Sequence, residues 1–322
     1  MTPRGDAAYT GVMPTSRLTA LLVLVAAASV LGLAPILVRL TETGPAAAGL
    51  WRLMFALPLL TILAARSGAA GEGGFGHPSP WMLLAGLFFA LDMSFWHYGL
   101  VLTSVANATV LCNLTPVVVT GFAWLVLKER PRNLFLLALV LAMAGAAAMA
   151  LGASSEGAAR DRTLLGDMLS LSVTVWYASY FLAIQRARRA ATAQKVMLWS
   201  TAAGIPLMLL AALIMREQIV PLGAAGWAAC IGLGLVHVAG QGGVAWALGR
   251  LPAALTAVTI LVQPVVAGLL GWRIFGETLT PIQLAGGAVV LAAVVLAQWS
   301  SRRKTGAEAE AAAPVVSAKA DL

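Results

Sequence analysis

The stretch Ser104–Arg132, SVANATVLCNLTPVVVTGFAWLVLKERPR, returns in edited form at Pro252–Thr280 as PAALTAVTILVQPVVAGLLGWRIFGETLT. The two copies align without gaps at an offset of 148 positions (252 minus 104), so that Ala106 meets Ala254, Val110 meets Val258 and Pro116-Val117-Val118 meets Pro264-Val265-Val266. Trp124 then meets Trp272, and Glu129 meets Glu277. Each copy is an apolar run with a proline near its middle, closed by a charged turn. A repeat of this kind divides the chain into two halves and constrains every later step.

Working outward, the composition names the solvent. Of 322 residues, 60% are hydrophobic and only 11% charged, with a mean hydropathy of +0.87. A soluble domain carries about 25% charged residues. Apolar runs of about 20 residues instead match the thickness of a bilayer. The net charge of +8 does not point to nucleic acid, because the basic residues sit in short turns between apolar runs, where they act as membrane orientation signals. Cys112 and Cys230 both fall inside apolar runs and read as small buried residues, with neither a disulfide framework nor a zinc-ligand spacing. The first apolar run has no small-residue cleavage site and reads as a span.

The expected organisation is all-α: ten transmembrane helices as two inverted five-helix repeats. Residues 1–17 form a cytoplasmic tail, 18–151 the first repeat, 152–163 a connector, 164–299 the second repeat, and 300–322 a disordered cytoplasmic tail. The spans read as helices because a membrane-crossing segment must satisfy its own backbone hydrogen bonds. Period-two alternation in runs of about ten, the mark of a membrane barrel, is absent from the sequence. Most basic residues, including Arg17, Arg66, Lys128, Arg186, Arg188, Lys195 and Arg250, collect on one side, against Arg39, Arg160, Arg162, Arg216 and Arg273 on the other. The richer side is expected to be cytoplasmic, with both termini inside a plasma (inner) membrane.

Five spans per half is an odd number, so the halves must enter the membrane in opposite senses. Further fragments keep the same offset: Trp51 meets Trp199, Pro58 meets Pro206, Gly86-Leu87 meets Gly234-Leu235 and Tyr98 meets Trp246. Inverted repeats are the architecture of alternating access, with a solute bound near the midplane.

Candidate site residues follow from what is polar at mid-depth. Pro116 and Pro264 each deprive the carbonyl four residues back, at Cys112 and Ile260, of its helical partner. Asn107, Asn113 and Thr115 accompany the first proline and Gln263 the second. Asp92, near the middle of the third span, is a coupling or gating candidate because ionisable groups inside membranes are functional by default. His237 and Gln241 share a face of the eighth span, in its most breakable part beside Gly240, Gly242 and Gly243. Arg52 is the counter-charge candidate, with snorkelling along its stem as the ordinary alternative. Tyr177 and Tyr180, one turn apart, read equally well as cavity lining or packing aromatics. Asn133 and Thr280 are candidate helix caps after the charged turns.

Nothing in the sequence supports an enzyme: there is no nucleophile with its base, no phosphate-cradling glycine loop and no HExxH. No cofactor or metal is expected. The run FWHYGLVLTSVANATVLCNLTPVVVTGFAWLVLKERP (Phe95–Pro131), its reprise ending in Gly276-Glu277, and the openings at Pro45–Leu60 and Gly166–Arg188 resemble the EamA domain of the drug/metabolite transporter superfamily. That resemblance implies a central cavity and export of small metabolites. The expected function is secondary transport, exporting amino acids or similar small polar metabolites by alternating access, with proton coupling one option. A passive channel or facilitator is the alternative. The partners are the lipid bilayer and a small-molecule substrate, with no nucleic acid and a homo-oligomer left open.

Overall fold

The computed structural model describes residues 17–69, 74–102, 111–125, 130–153, 164–276 and 278–311. Among these, every regular element is helical. Eight helices are long and apolar enough to cross a membrane, and the shorter apolar segments Pro80–Trp96 and Thr115–Leu125 join them. In chain order the elements are α1 Arg17–Leu31, α2 Ala34–Leu40, α3 Pro45–Ala69, α4 Pro80–Leu102, α5 Thr115–Leu125, α6 Asn133–Ala153, α7 Leu164–Arg188 and α8 Ala193–Ile214. Then come α9 Ala224–Val236, a π turn His237–Gln241, α10 Gly242–Leu248, α11 Ala253–Ile260, α12 Val262–Phe275 and α13 Pro281–Ala311.

Local chemistry sets the ends. Pro45, Pro80 and Pro281 each open a helix, where a missing N–H costs nothing and the fixed φ is already helical. Thr280 caps α13 in a reciprocal box: the Gln283 N–H donates to Thr280 Oγ1 at 3.3 Å, and the Thr280 N–H donates to Gln283 Oε1 at 2.9 Å. Asn133 does not play the matching part, being itself the first residue of α6. Gly276 ends α12 at φ +69°, a left-handed position that glycine fills without strain. The segment from Ser300, whose composition reads as a disordered tail, continues α13 to Ala311. Its alanines, glutamates, arginines and lysine are strong helix formers, and that propensity prevails.

The chain forms two compact units, one of Met1–Leu87 with Phe181–Pro252, the other of Phe88–Tyr180 with Ala253–Leu322. Neither is a sequence half. In the first, α3 packs on α8 and α9, while α1 packs on the π turn and α10. In the second, α6 packs on α13 and α5 on α11. The pairs α3/α8 and α6/α13 each join an element to its own counterpart 148 positions away.

Inside the first unit one contact is written twice. A Cβ on Gly86 would lie 2.7 Å from Ala203 Cβ and 3.1 Å from Gly204 N, and a Cβ on Gly234 would lie 2.6 Å from Phe55 Cβ and 3.1 Å from Ala56 N. Gly234, Ala203 and Gly204 are Gly86, Phe55 and Ala56 shifted by 148, so both pairs are one contact under the repeat operation. The indoles are equivalent too, though their acceptors are not matching positions: each reaches the segment that follows the partner helix. Trp51 Nε1 donates to Ile219 O at 2.7 Å, after α8, and Trp199 Nε1 donates to Phe75 O at 2.9 Å, after α3. In the second unit Gly145 and Gly286 face each other reciprocally, each Cβ position falling 2.6 Å from the other's carbonyl oxygen. Small residues here let backbones touch, the way membrane helices gain dispersion energy where lipid supplies no hydrophobic drive.

Candidate functional site

Three spans are interrupted where the sequence predicts. The turn at Asn113-Leu114 precedes α5, so Pro116 occupies the second position of a new helix. Its counterpart Leu261, at 113 plus 148, separates α11 from α12, with Pro264 third in the new helix. Proline is tolerated in a first turn because those N–H groups have no intrahelical partner anyway. The carbonyl expected to be freed at Cys112 is not left open: Thr115 Oγ1 donates to it at 2.9 Å. The short hydroxyl reaches back one turn and satisfies what the proline cannot.

The third interruption is the π turn, whose first and last residues are His237 and Gln241. One extra residue in a single turn re-aims everything beyond it, and such bulges concentrate at functional positions. Glycines admit the close neighbour: a Cβ on Gly240 would meet Leu31 Cδ2 at 2.6 Å, and one on Gly243 would meet Ala27 Cβ at 2.7 Å.

Around this turn the first unit gathers a buried polar cluster. His237 is 2% exposed, Gln241 3%, Thr201 2% and Arg52 6%. These groups are rarely so buried unless they are used or paired. His237 Nε2 lies 3.0 Å from Thr201 Oγ1, a hydroxyl that can donate or accept to suit the ring's tautomer. Arg52, on α3, is close enough for its charge to be felt at His237. The cluster thus combines a permanent cation, an imidazole, a hydroxyl and a carboxamide, a set suited to holding an anionic or carbonyl-bearing group.

The second unit holds the remaining candidates. Asp92 is buried on α4, and its charge is felt at the Cys112 thiol, just ahead of the break at Asn113-Leu114. Asn113 Nδ2, at that break, is a buried donor with no acceptor among the described residues. Tyr177 and Tyr180 stack with centroids 5.9 Å apart and planes within 9°, and Phe89 leans on Tyr180 at 5.2 Å. Tyr180 is a core aromatic, while Tyr177 is half-buried. Gln263 and Pro264 are half-buried, and Thr115 and Pro116 buried. Asn107, Lys128, Glu129 and Glu277 lie outside the described residues. Among the described residues no His/Cys/Asp/Glu group of three could hold a metal ion.

Arg52, His237 and Gln241 therefore belong to one unit, and Asp92, Asn113, Thr115, Pro116, Tyr177, Tyr180, Gln263 and Pro264 to the other. Sequence reasoning missed Thr201, the residue bonded to His237. A signal did exist: Ser200-Thr201 stands opposite Arg52-Leu53 in the repeat, so both copies place a polar group on that turn.

Known proteins agree with this architecture. The EamA-like transporter family matches residues 18–151 and 164–299. An uncharacterized transporter of Archaeoglobus fulgidus is 28% identical over 224 residues, covering 69% of this chain and 77% of its own. The pseudopaline exporter CntI of Pseudomonas aeruginosa is 25% identical over 232 residues, covering 70% and 76% respectively. A solved crystal structure shares the fold with a TM-score of 0.71 at 22% identity, covering 90% of this chain and 99% of that one. With two family matches spanning both halves and a fold of packed apolar helices, the chain belongs to the EamA-like transporter family.

Proposed function

We propose that the protein is a secondary transporter of the plasma membrane that exports amino acids or similar small polar metabolites by alternating access. Its ten spans form two inverted five-helix repeats, and both termini are cytoplasmic. One observation carries the reading: the glycine packing contact is duplicated by the repeat, whereas the buried His237 and Gln241 are not. Gly86 and Gly234 make the same contact twice, but the positions of His237 and Gln241 are filled by Phe89 and Met93 in the other copy. A two-fold scaffold with one-sided polar equipment suits a machine that has two equivalent conformations and one solute to recognise. A relative named as an exporter supports the direction.

Asp92 is assigned to proton coupling, as a buried carboxylate whose charge is felt just ahead of a broken span. Arg52, His237 and Gln241 form a recognition group for the solute's carboxylate, and Asn113 is the donor at the other break. The test is flux in proteoliposomes against a panel of labelled amino acids, with and without a pH gradient. The wild type is expected to show gradient-stimulated flux, and Asp92→Asn to retain solute exchange while losing the stimulation. Flux that never responds to the gradient in either protein supports a passive facilitator, and no flux across the panel overturns transport of this solute class.

A further inference from the structure

We propose that Glu42 and Glu217 are positioning residues that hold α3 and α9 in register. They thereby set Arg52 on α3 against the His237–Gln241 turn after α9, given that these groups recognise the solute as proposed above. The two carboxylates are crossed. Glu217, in the turn leading into α9, accepts from the first two N–H groups of α3: Ala46 N donates to Oε1 at 3.2 Å and Ala47 N to Oε2 at 2.9 Å. Glu42, in the turn leading into α3, accepts at 3.0 Å from the N–H of Gly223, the cap residue of α9. Between the two turns, Gly44 N donates to Gln218 O at 2.9 Å. The approach is close: a Cβ on Gly226 would stand 2.7 Å from Thr41 O and 3.0 Å from Glu42 Oε2.

From these turns α3 and α9 run the same way and touch through apolar groups. Trp51 and Trp227 meet edge to face at 4.7 Å, Phe55 and Trp227 at 6.2 Å, and Gly234 lies against Phe55 and Ala56. Dispersion between such surfaces is weakly directional and lets helices slide. Hydrogen bonds require a set distance and angle, so they fix the register. Arg52 follows Ala47 by roughly 8 Å along α3, and α9 leads directly into His237. Both turns are strained. Glu42 and Arg216 stand at φ 55° and 51°, the non-glycine residues at positive φ among the described residues. Such conformations persist where surrounding contacts impose them, and they concentrate near functional sites.

Capping a helix start is the ordinary role of carboxylates so placed. A local cap would serve for that. The counterpart of α3, α8, is capped by Thr192 immediately before it, whose side chain accepts from Lys195 N. Glu42 and Glu217 instead reach across 181 and about 170 positions of chain. Their equivalents, at 42 plus 148 and 217 minus 148, are Ala190 and Ala69. The crossed pair therefore occurs once, on the two helices that carry or lead to Arg52, His237 and Gln241.

Spin labels test the register without any solute. They are placed at the exposed Met54 of α3 and Ile231 of α9, as Met54→Cys and Ile231→Cys in a full chain carrying Cys112→Ala and Cys230→Ala. One narrow distance is expected. Glu217→Gln, whose amide offers one acceptor to two N–H groups, should broaden it or shift it by about 1.5 Å, one residue's rise, or more. Flux in proteoliposomes supplies the second measurement, using the labelled amino acid that the wild type transports best. Glu217→Gln should raise the half-saturating concentration about tenfold with the maximal rate within about twofold, since a loosened recognition group loses binding first. Glu42→Ala should do the same, and Glu42→Gln, which keeps one acceptor for Gly223, should fall between it and wild type. An unchanged label distance in both Glu217→Gln and Glu42→Ala overturns the proposal in favour of capping alone. An altered distance with an unchanged half-saturating concentration also overturns it, provided Arg52→Gln raises that concentration. If Arg52→Gln keeps the wild-type value, the recognition role of Arg52 falls, and the label distance alone decides the register.

Discussion

The helix α4, Pro80–Leu102, and the span formed by α9, the π turn and α10 are one segment written twice, and they have diverged in an orderly way. Gly86 and Gly234 keep the same contact with the same partner positions. Three residues later Phe89 stands where the second copy has His237, and beyond it Asp92 and Met93 stand where the second has Gly240 and Gln241. The first copy is a continuous α-helix through this region, while the second takes up a π turn. A glycine that lets two backbones touch cannot change without moving both helices, so packing is held common. A side chain at the next turn can change alone, and there the polar groups have moved to one copy or the other. Chemistry is found where the copies disagree.

The first way to break that comparison is at the glycines. Gly86→Ala and Gly234→Ala should each destabilise by about 3 kcal/mol, the upper end for overpacking, since the added methyl meets backbone as well as side chain. The two losses should match within error, read as chemical or thermal unfolding in detergent. Gly121, also in a helix, has nothing within 4 Å of its Cβ position, so Gly121→Ala should be neutral or slightly stabilising. A Gly86 variant that tolerates alanine while its Gly234 counterpart does not would break the equivalence.

A smaller effect sharpens the polar side. His237→Phe installs the first-copy residue and leaves the Thr201 hydroxyl buried without its ring nitrogen, at a cost of about 2 kcal/mol. Thr201→Leu, again the first-copy residue, takes away the hydroxyl 3.0 Å from His237 Nε2. The double variant recreates the Phe89/Leu53 combination and should recover about 1 kcal/mol over the sum of the singles, because replacing both partners with apolar groups removes the unmet polar atom. Solute flux should stay low in all three. Recovery of flux along with stability would show the pair to be only structural.

How much of this was legible follows from the same division. The breaks at Asn113-Leu114 and Leu261 could be read because proline forbids a hydrogen bond wherever it stands. The π turn fell where Gly240, Gly242 and Gly243 cluster, and two of these glycines, Gly240 and Gly243, let the span approach Leu31 and Ala27. The closure of the Cys112 carbonyl by Thr115 was not legible, because it depends on one rotamer of one hydroxyl. Thr201 was hidden for a related reason: a lone threonine in an apolar helix ordinarily bonds its own backbone and signals nothing. The two compact units were also out of reach. They join elements 148 residues apart, and apolar runs do not say which other runs they face.

The smallest expected effect is the most diagnostic, because its sign separates structure from function. Asn113 and Leu261 are equivalents, one a carboxamide and the other a leucine, at matching helix breaks. Asn113 Nδ2 is buried without an acceptor among the described residues, and a buried donor left unmet costs about 1–3 kcal/mol. A purely structural asparagine would be bonded, so Asn113→Leu would destabilise. An asparagine kept for a solute is strained while the solute is absent, so the same substitution should raise stability by about 1 kcal/mol while lowering flux, the usual trade where a site holds an unsatisfied group. Unfolding and proteoliposome flux on one preparation decide it. A variant that gains stability and keeps full flux removes Asn113 from the site, and one that loses both makes it a packing residue.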